Sequence, residues 1–271
     1  MAIVFLIFGL IFGSFINSFI WRLHFRFSSS KKENMNPSIF KGRSICPNCK
    51  HVLLPIDLFP IVSWLLLRGK CRYCHKTINI QYPIIELITG LLFSLSYVYW
   101  PYSFSLWGYI LLIVWLAILL ILVGLAIYDF KYKILPNSLV YLAIFFSLIF
   151  TIVYYFECSQ GTAYILSRIF GILFSSGIFY LIFQISNGKW IGGGDVKLCV
   201  ALGIILGGPL EIVLMLFLAS LMGSLISMAL LMIGRLRANM TIAFGPLLIF
   251  STFLCFFFGP QILNWYTGLI G

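Results

Sequence analysis

Long apolar runs separated by short polar segments make up most of this chain. The first run covers about residues 1–20 and carries no charge. A helix of ~20 apolar residues crosses the hydrocarbon core of a bilayer, so each run predicts a membrane span. The further predicted spans are 83–100, 106–128, 137–156, 163–184, 197–208, 210–234 and 241–258. The pattern therefore predicts an all-α polytopic membrane protein with about eight transmembrane helices, of which the sixth is short.

One long polar segment interrupts this pattern after the first predicted span. Residues 22–82 hold 11 of the 18 Lys and Arg residues. We interpret 24–82 as a small domain inserted between the first transmembrane helix, 1–23, and a larger transmembrane domain, 83–271. Within the insert, the Ser-, Lys- and Asn-rich stretch 28–38 predicts a flexible linker.

Composition excludes a water-soluble protein and gives the chain an orientation. Of its 271 residues 62% are hydrophobic and 9% are charged, and the mean hydropathy is +1.07. In a membrane protein, Lys and Arg collect in cytoplasmic loops, which explains the net charge of +11 without a nucleic acid partner. Loops 129–136, 185–196 and 235–240 are basic and Arg168 is the one outward exception. We therefore expect both termini outside, with the insert and these loops in the cytosol against anionic lipid.

Two aspartates lie at the edges of predicted spans. Asp129 ends the third span, and Asp195 follows three glycines at the start of the sixth. The predicted topology places both carboxylates at the cytosolic face, so the two side chains can meet. Adjacent carboxylates share a proton. The ionised one can then activate a water while the protonated one polarises an amide carbonyl, which predicts peptide hydrolysis.

A plainer interpretation of the same aspartates is that each anchors a helix end by pairing with a lysine. Asp129 lies two residues before Lys131 and four before Lys133, and Asp195 lies two residues before Lys197. The coincidence of two carboxylates on one predicted membrane face, one of them after a Gly-Gly-Gly stretch, favours the catalytic interpretation. Glycines also permit the close backbone approach that an extended peptide substrate needs.

The insert carries two CxxC pairs separated by 21 residues. Four thiolates at this spacing are typical of a structural, tetrahedral Zn²⁺ site, and a reducing cytosol disfavours disulfides. The predicted ligands are Cys46, Cys49, Cys71 and Cys74. His51 and His75 directly follow the pairs and are expected to be exposed neighbours. Three further cysteines lie in apolar segments and are expected to be packing residues: Cys158, Cys199 and Cys255.

Five short motifs, in this order along the chain with the CxxC pairs between the first two, resemble those of type IV prepilin peptidases. Together these motifs are spread along nearly the whole chain. The motifs are Gly13-Ser14-Phe15-Ile16-Asn17-Ser18-Phe19-Ile20-Trp21-Arg22-Leu23, Tyr82-Pro83-Ile84-Ile85-Glu86-Leu87, Asp129 with Leu135-Pro136-Asn137, Gly192-Gly193-Gly194-Asp195-Val196-Lys197 and Phe244-Gly245-Pro246. The resemblance implies an aspartic membrane endopeptidase of the GxGD class, with Asp129 and Asp195 as its catalytic pair. Its substrates would be precursors of pilin-like proteins of type IV pili, type II secretion or competence systems.

The same resemblance implies a second activity. Members of the family with a cytosolic Cys domain also N-methylate the new N-terminus with S-adenosyl-L-methionine. No segment of this chain predicts a methyl-donor fold, so cofactor-binding residues stay unassigned, with Glu86, Arg22 and Asn17 as candidates. Each has a structural alternative: an interfacial carboxylate, a topology anchor and a helix-packing amide.

Two other functions are compatible with parts of the pattern. A presenilin-like intramembrane aspartic protease would use the same two aspartates but gives no role to a zinc-binding insert. An ion transporter or channel would use the aspartates as ion ligands and the insert as a regulator, and it would show ion flux without proteolysis.

Overall fold

The computed structural model describes residues 1–28, 44–46, 48–157, 161–234 and 243–270. Residues 29–38 of the predicted linker lie outside the described residues, as do Cys158 and the basic residues of the 235–240 loop. Within the described parts the fold is helical and has no strand longer than an isolated bridge. The helices are α1 Ala2–Ser28, α2 Val62–Leu66, α3 Gln81–Val98, α4 Leu106–Tyr132, α5 Asn137–Glu157, α6 Thr162–Ile185, α7 Gly193–Leu206, α8 Pro209–Met232 and α9 Gly245–Ile270, with a 3₁₀ helix at Pro55–Leu58.

Seven of the described helices are long and apolar enough to cross a membrane: α1, α3, α4, α5, α6, α8 and α9. The all-α membrane fold is therefore confirmed. The predicted short sixth span corresponds to α7, whose 14 residues extend about 21 Å. Most of its side chains from Leu198 to Ile205 are buried, so protein surrounds this helix. A helix that is shielded from lipid does not need the length of a bilayer.

The chain divides into two compact units, Met1–Trp100 and Pro101–Gly271. In the first unit α1 packs along α3. A Cβ added at Gly9 would come within 2.7 Å of the Gly90 backbone, so small residues let the two helices approach closely, as is usual between membrane helices. The predicted functional boundaries at residues 23 and 82 stay predictions.

The two cysteine pairs of the insert lie in two similar turns. In each, the residue after the CxxC pair, Lys50 or His75, has a positive φ and donates its N–H to the carbonyl of the first cysteine. A bridge closes each turn, Ile45 with Val52 and Lys70 with Thr77. The two turns bring the four cysteine side chains close together.

The second unit is organised around α4, which is the most buried of the seven long helices. Helix α4 packs against α5 and α9, and α7 packs against α5, α6 and α9. The exceptional place of Arg168 of α6 in the charge pattern has a structural reason. Its guanidinium donates to the carbonyls of Ile204 and Ile205 at the end of α7. These carbonyls lack partners within the helix. Arg168 therefore caps α7.

Candidate functional site

Asp129 lies in the last turn of α4 and is 7% exposed. Its carboxylate Oδ2 accepts a hydrogen bond of 3.1 Å from the backbone N–H of Gly245, the first residue of α9. A helix N-terminus carries partial positive charge and favours an anion. The same glycine leaves room for the carboxylate, since a Cβ at this position would lie 2.7 Å from Oδ2.

Asp195 lies in the first turn of α7, where its N–H donates to the Gly192 carbonyl at 3.0 Å. Gly194 allows this turn to pack on Leu135 of the α4–α5 loop, because a Cβ there would come within 2.9 Å of the Leu135 side chain. Lys197 on the same helix donates to the Asn137 side chain at 3.0 Å. The start of α7 is therefore held against the loop that follows Asp129.

The two aspartates interact electrostatically. Asp195 lies outside the seven long spans, and burial together with the negative charge of Asp129 raises the pKa of its carboxyl. The alternative interpretation is that each aspartate pairs with a lysine at a helix end. It has partial support at Asp129, which interacts electrostatically with Lys133. At Asp195 it has none among the described residues, where Lys197 bonds to Asn137 instead. The negative charge of Asp129 therefore opposes ionisation of the Asp195 carboxyl.

The four predicted zinc ligands form one cluster. Their sulfur atoms all lie within 4.8 Å of one another, and Cys46 Sγ is 3.9 Å from Cys74 Sγ. Tetrahedral bonds of ~2.3 Å to Zn²⁺ place sulfurs about 3.8 Å apart, so the donor set fits this ion. None of the cysteines in the described ranges forms a disulfide. His51 and His75 are exposed and lie outside the cluster, and Cys199 and Cys255 are buried, as predicted.

Asp57 has a structural role that the sequence did not indicate. Its carboxylate accepts from Arg72 Nε at 2.7 Å, the Tyr73 hydroxyl at 3.1 Å and the Leu54 N–H at 3.2 Å. Burial alone would raise the pKa of this carboxyl, but these hydrogen bonds and the Arg72 charge hold it below its ordinary value. Asp57 thus ties the 3₁₀ helix to the second CxxC turn.

A cavity of about 340 Å³ lies inside the first unit, between the insert and the adjoining ends of α1 and α3. Glu86 and Arg22 both line it, so two of the three residues considered for methyl transfer come together. The third, Asn17, is buried and donates to the Tyr82 carbonyl at 3.3 Å, and it is not among the lining residues. This contact fits its interpretation as a packing amide.

Sequence reasoning missed the aromatic walls of this cavity, which include Trp21 and Trp64. Trp21 adjoins Arg22 in the first motif, which was an available signal. No signal in the sequence indicated Trp64, because its position depends on the fold of the insert. There its Nε1–H donates to the Ile78 carbonyl at 3.2 Å.

The fold and these clusters define a multi-pass helical membrane protein with a four-cysteine cluster that could hold a metal ion, and with two buried or half-buried aspartates that interact electrostatically. Two family models match the chain: the Bacterial Peptidase A24 N-terminal domain over residues 7–100 and the Type IV leader peptidase family over residues 115–228. The two matches fall on either side of the division between the structural units.

Curated relatives match over almost their full length. A prepilin leader peptidase/N-methyltransferase of Aeromonas hydrophila is 30% identical over 98% of this chain and 93% of its own. Proteins of the same name from Legionella pneumophila (31% identical, 97% and 93% covered) and Bacillus subtilis (29%, 98% and 98%) are similar. No solved structure matches. The chain belongs to the type IV leader peptidase family, which confirms the resemblance seen in its motifs.

Proposed function

We propose that this protein is an aspartic endopeptidase that removes the leader of type IV prepilin-like precursors and then N-methylates the new N-terminus. The names of its relatives suggest both activities. The observation that carries the peptidase is the pair formed by Asp129, at the N-terminus of α9, and Asp195, within reach of its charge.

The environments of the two carboxyls suggest different roles. Asp129 accepts the N–H at the N-terminus of α9, which fixes the position of its carboxylate, and we assign it the role of the base that takes a proton from water. Asp195 retains a proton and donates it toward the carbonyl oxygen of the scissile amide. The hydroxide equivalent adds to the carbonyl carbon, and the proton on Asp129 passes to the amine as the C–N bond breaks.

The substrate class follows from the family and from charge. A prepilin precursor joins a short basic leader to a hydrophobic helix, and the predicted cytosolic face of this enzyme is basic too. Long-range attraction to the leader is therefore weak, and the apolar helix supplies most of the affinity while the basic loops contact anionic lipid. Shortening the substrate helix should weaken binding in neutral detergent more than neutralising the leader does.

The peptidase is tested with the purified protein, a prepilin-like substrate and mass spectrometry of the product N-terminus. Asp129→Asn and Asp195→Asn should each lower the cleavage rate by about 10²- to 10⁴-fold, the usual contribution of general acid–base groups. The matched control is Glu157→Gln, whose amide oxygen can keep the hydrogen bond from Ser105. Full activity in both folded aspartate variants would refute the mechanism, and ion flux into liposomes would then support the transporter alternative.

A presenilin-like protease makes a different prediction about the cleavage position. It would cut within the hydrophobic helix of the substrate, whereas a prepilin peptidase cuts between leader and helix. The product mass from the same experiment separates the two.

The second activity is supported by the cavity of the first unit, which is partly open and large enough for a small molecule. S-adenosyl-L-methionine supplies the methyl group and is consumed as a substrate. The four cysteine thiolates would hold Zn²⁺ in a closed site that stabilises the insert and takes no part in the reaction. A methyl mass on the cleaved product that depends on added S-adenosyl-L-methionine confirms this activity, and its absence at full cleavage refutes it.

A further inference from the structure

The cavity of the first unit contains a buried carboxylate whose hydrogen-bond donors, among the residues that the structure describes, are neutral. Glu86 is 7% exposed. Its Oε2 accepts from the backbone N–H of Ile61 at 2.7 Å, and its second donor is the hydroxyl of Ser14. Ile61 is β-branched yet has a φ of 61°, a conformation that is strained for this residue type. The backbone is thus held in an unfavourable shape where it meets the carboxylate.

The second carboxylate on the cavity wall is neutralised, whereas Glu86 is not. Asp57 pairs with Arg72, but no ion pair reaches Glu86 from any residue that the structure describes, including Arg22 on the same wall. A buried carboxylate without a cation is costly. Arg22 and Lys76 line other parts of the same cavity, so the wall as a whole is basic. A positively charged centre in a ligand would therefore be attracted to Glu86, and an anionic group of the same ligand to the basic side chains.

The other walls restrict what kind of cation fits. Trp21 and Trp64 line the same cavity as Glu86, and aromatic faces attract cations that carry alkyl substituents. They also provide flat apolar surfaces on which a purine can stack. A volume of about 340 Å³ lies within the range of small-molecule sites. A ligand with an alkylated cationic centre and an aromatic base matches all three features.

We propose that this cavity binds the methyl donor as a sulfonium, with the Glu86 carboxylate facing the positively charged sulfur. The proposal rests on the methyltransferase part of the proposed function and adds its site. In the reaction, the lone pair of the substrate amine forms a bond to the methyl carbon while the C–S bond breaks and its electrons return to sulfur. The nitrogen then releases a proton to solvent, and the sulfur becomes a neutral thioether.

This loss of charge gives Glu86 a role in turnover. Before transfer the carboxylate faces a cation, and after transfer it faces a neutral sulfur. The donor is therefore bound more tightly than the product, which favours release of the thioether. The amino and carboxylate groups at the other end of the ligand are the same in both molecules, so a comparison of the two isolates the charge on sulfur.

The test is a binding measurement that does not depend on activity. Calorimetry on the zinc-loaded full-length protein compares S-adenosylmethionine with S-adenosylhomocysteine. We expect wild type to bind S-adenosylmethionine about tenfold or more tightly than S-adenosylhomocysteine. The attraction between opposite charges a few ångströms apart is large enough to produce this difference in affinity. Glu86→Gln should reduce the preference to about onefold. The control Glu157→Gln, the same chemical change in the second unit, should keep it.

Glu86→Gln can keep an acceptor for the Ile61 N–H, and its zinc content and cleavage rate report whether it is folded. Labelling of wild-type carboxylates with a carbodiimide gives a second measurement that needs no variant. S-adenosylmethionine should protect Glu86 from labelling more strongly than S-adenosylhomocysteine at equal saturation.

The outcomes separate this proposal from the proposed function. If wild type cleaves its substrate and never methylates it, the methyltransferase function fails and this site with it. If wild type methylates its product but folded Glu86→Gln keeps the sulfonium preference, or if neither ligand protects Glu86, the donor binds elsewhere and only this inference is overturned.

Discussion

The contact between Gly245 and Asp129 offers a way to displace one carboxylate without removing it. Alanine at position 245 keeps the backbone N–H that donates to Asp129. Gly245 is not in the left-handed region of backbone conformation, so alanine causes no strain there. Among the described residues, its close contacts are with the Asp129 side chain, since a Cβ would lie 2.7 Å from Oδ2 and 3.3 Å from Cγ.

The size of the effect follows from these distances. Ordinary contact begins at 3.4 Å, so Oδ2 has to move by about 0.7 Å. Rotation of the Asp129 side chain can supply this movement, which limits the cost in stability. A misplacement of about 1 Å in an active site lowers turnover by as much as 10²-fold. We therefore expect Gly245→Ala to reduce the cleavage rate by about 10- to 10²-fold while the protein remains folded.

The assay is steady-state cleavage of a prepilin-like substrate, with thermal unfolding measured on the same preparations. Gly268→Ala is the matched control, because it makes the same change in the same helix at a position where a Cβ would meet nothing within 4 Å from other parts of the described chain. It should leave cleavage unchanged. If folded Gly245→Ala cleaves as fast as wild type, Asp129 does not act from the position that its hydrogen bond to α9 defines, and the assignment of roles is wrong.

Three further predictions follow from the structure. Cys71→Ala leaves three thiolates, so the zinc content measured by mass spectrometry should fall from one ion per chain to nearly none, whereas retention of zinc would contradict a four-cysteine site. Because the pKa of Asp195 is raised, its proton persists to a higher pH than in an ordinary carboxyl, and cleavage should decline as the pH rises through that value. A rate that rises steadily with pH would contradict its role as the acid. Arg168→Met removes the cap on the carbonyls of Ile204 and Ile205 and should lower the free energy of unfolding by about 2 kcal/mol, with Arg168→Lys intermediate. An unchanged thermal midpoint would show that α7 does not need this cap.

Hydropathy alone predicted most of the helices because the bilayer sets both their length and their composition. It was least informative at α7. A helix that is buried in protein is released from the length rule, and nothing in its own residues reports which helices surround it. Its burial depends on contacts with α5, α6 and α9, which are remote in sequence. The charge pattern marked Arg168 as an exception, but it did not indicate that this side chain bonds to the end of α7.

The aspartates illustrate the same limit at the candidate site. The alternation of inward and outward loops predicted that Asp129 and Asp195 lie at one membrane face. The glycines before Asp195 were expected to let a peptide substrate approach the backbone, whereas the packing of Gly194 on Leu135 was not predicted. The group that distinguishes the two carboxyls is the N–H of Gly245, which lies 116 residues after Asp129. A motif containing glycine and proline marks this position, but a hydrogen bond between segments so far apart is a property of the packed helices.

The two carboxylates of the first unit show why residue type does not decide function. Asp57 and Glu86 line one cavity, and each accepts a backbone N–H from the insert. Asp57 also meets Arg72, 15 residues later in the chain, so its charge is satisfied within the protein and it stabilises the insert. Glu86 meets only neutral donors among the described residues, so its charge remains available to a ligand. The difference between a structural and a ligand-binding carboxylate is therefore the position of one guanidinium, which the folded insert determines.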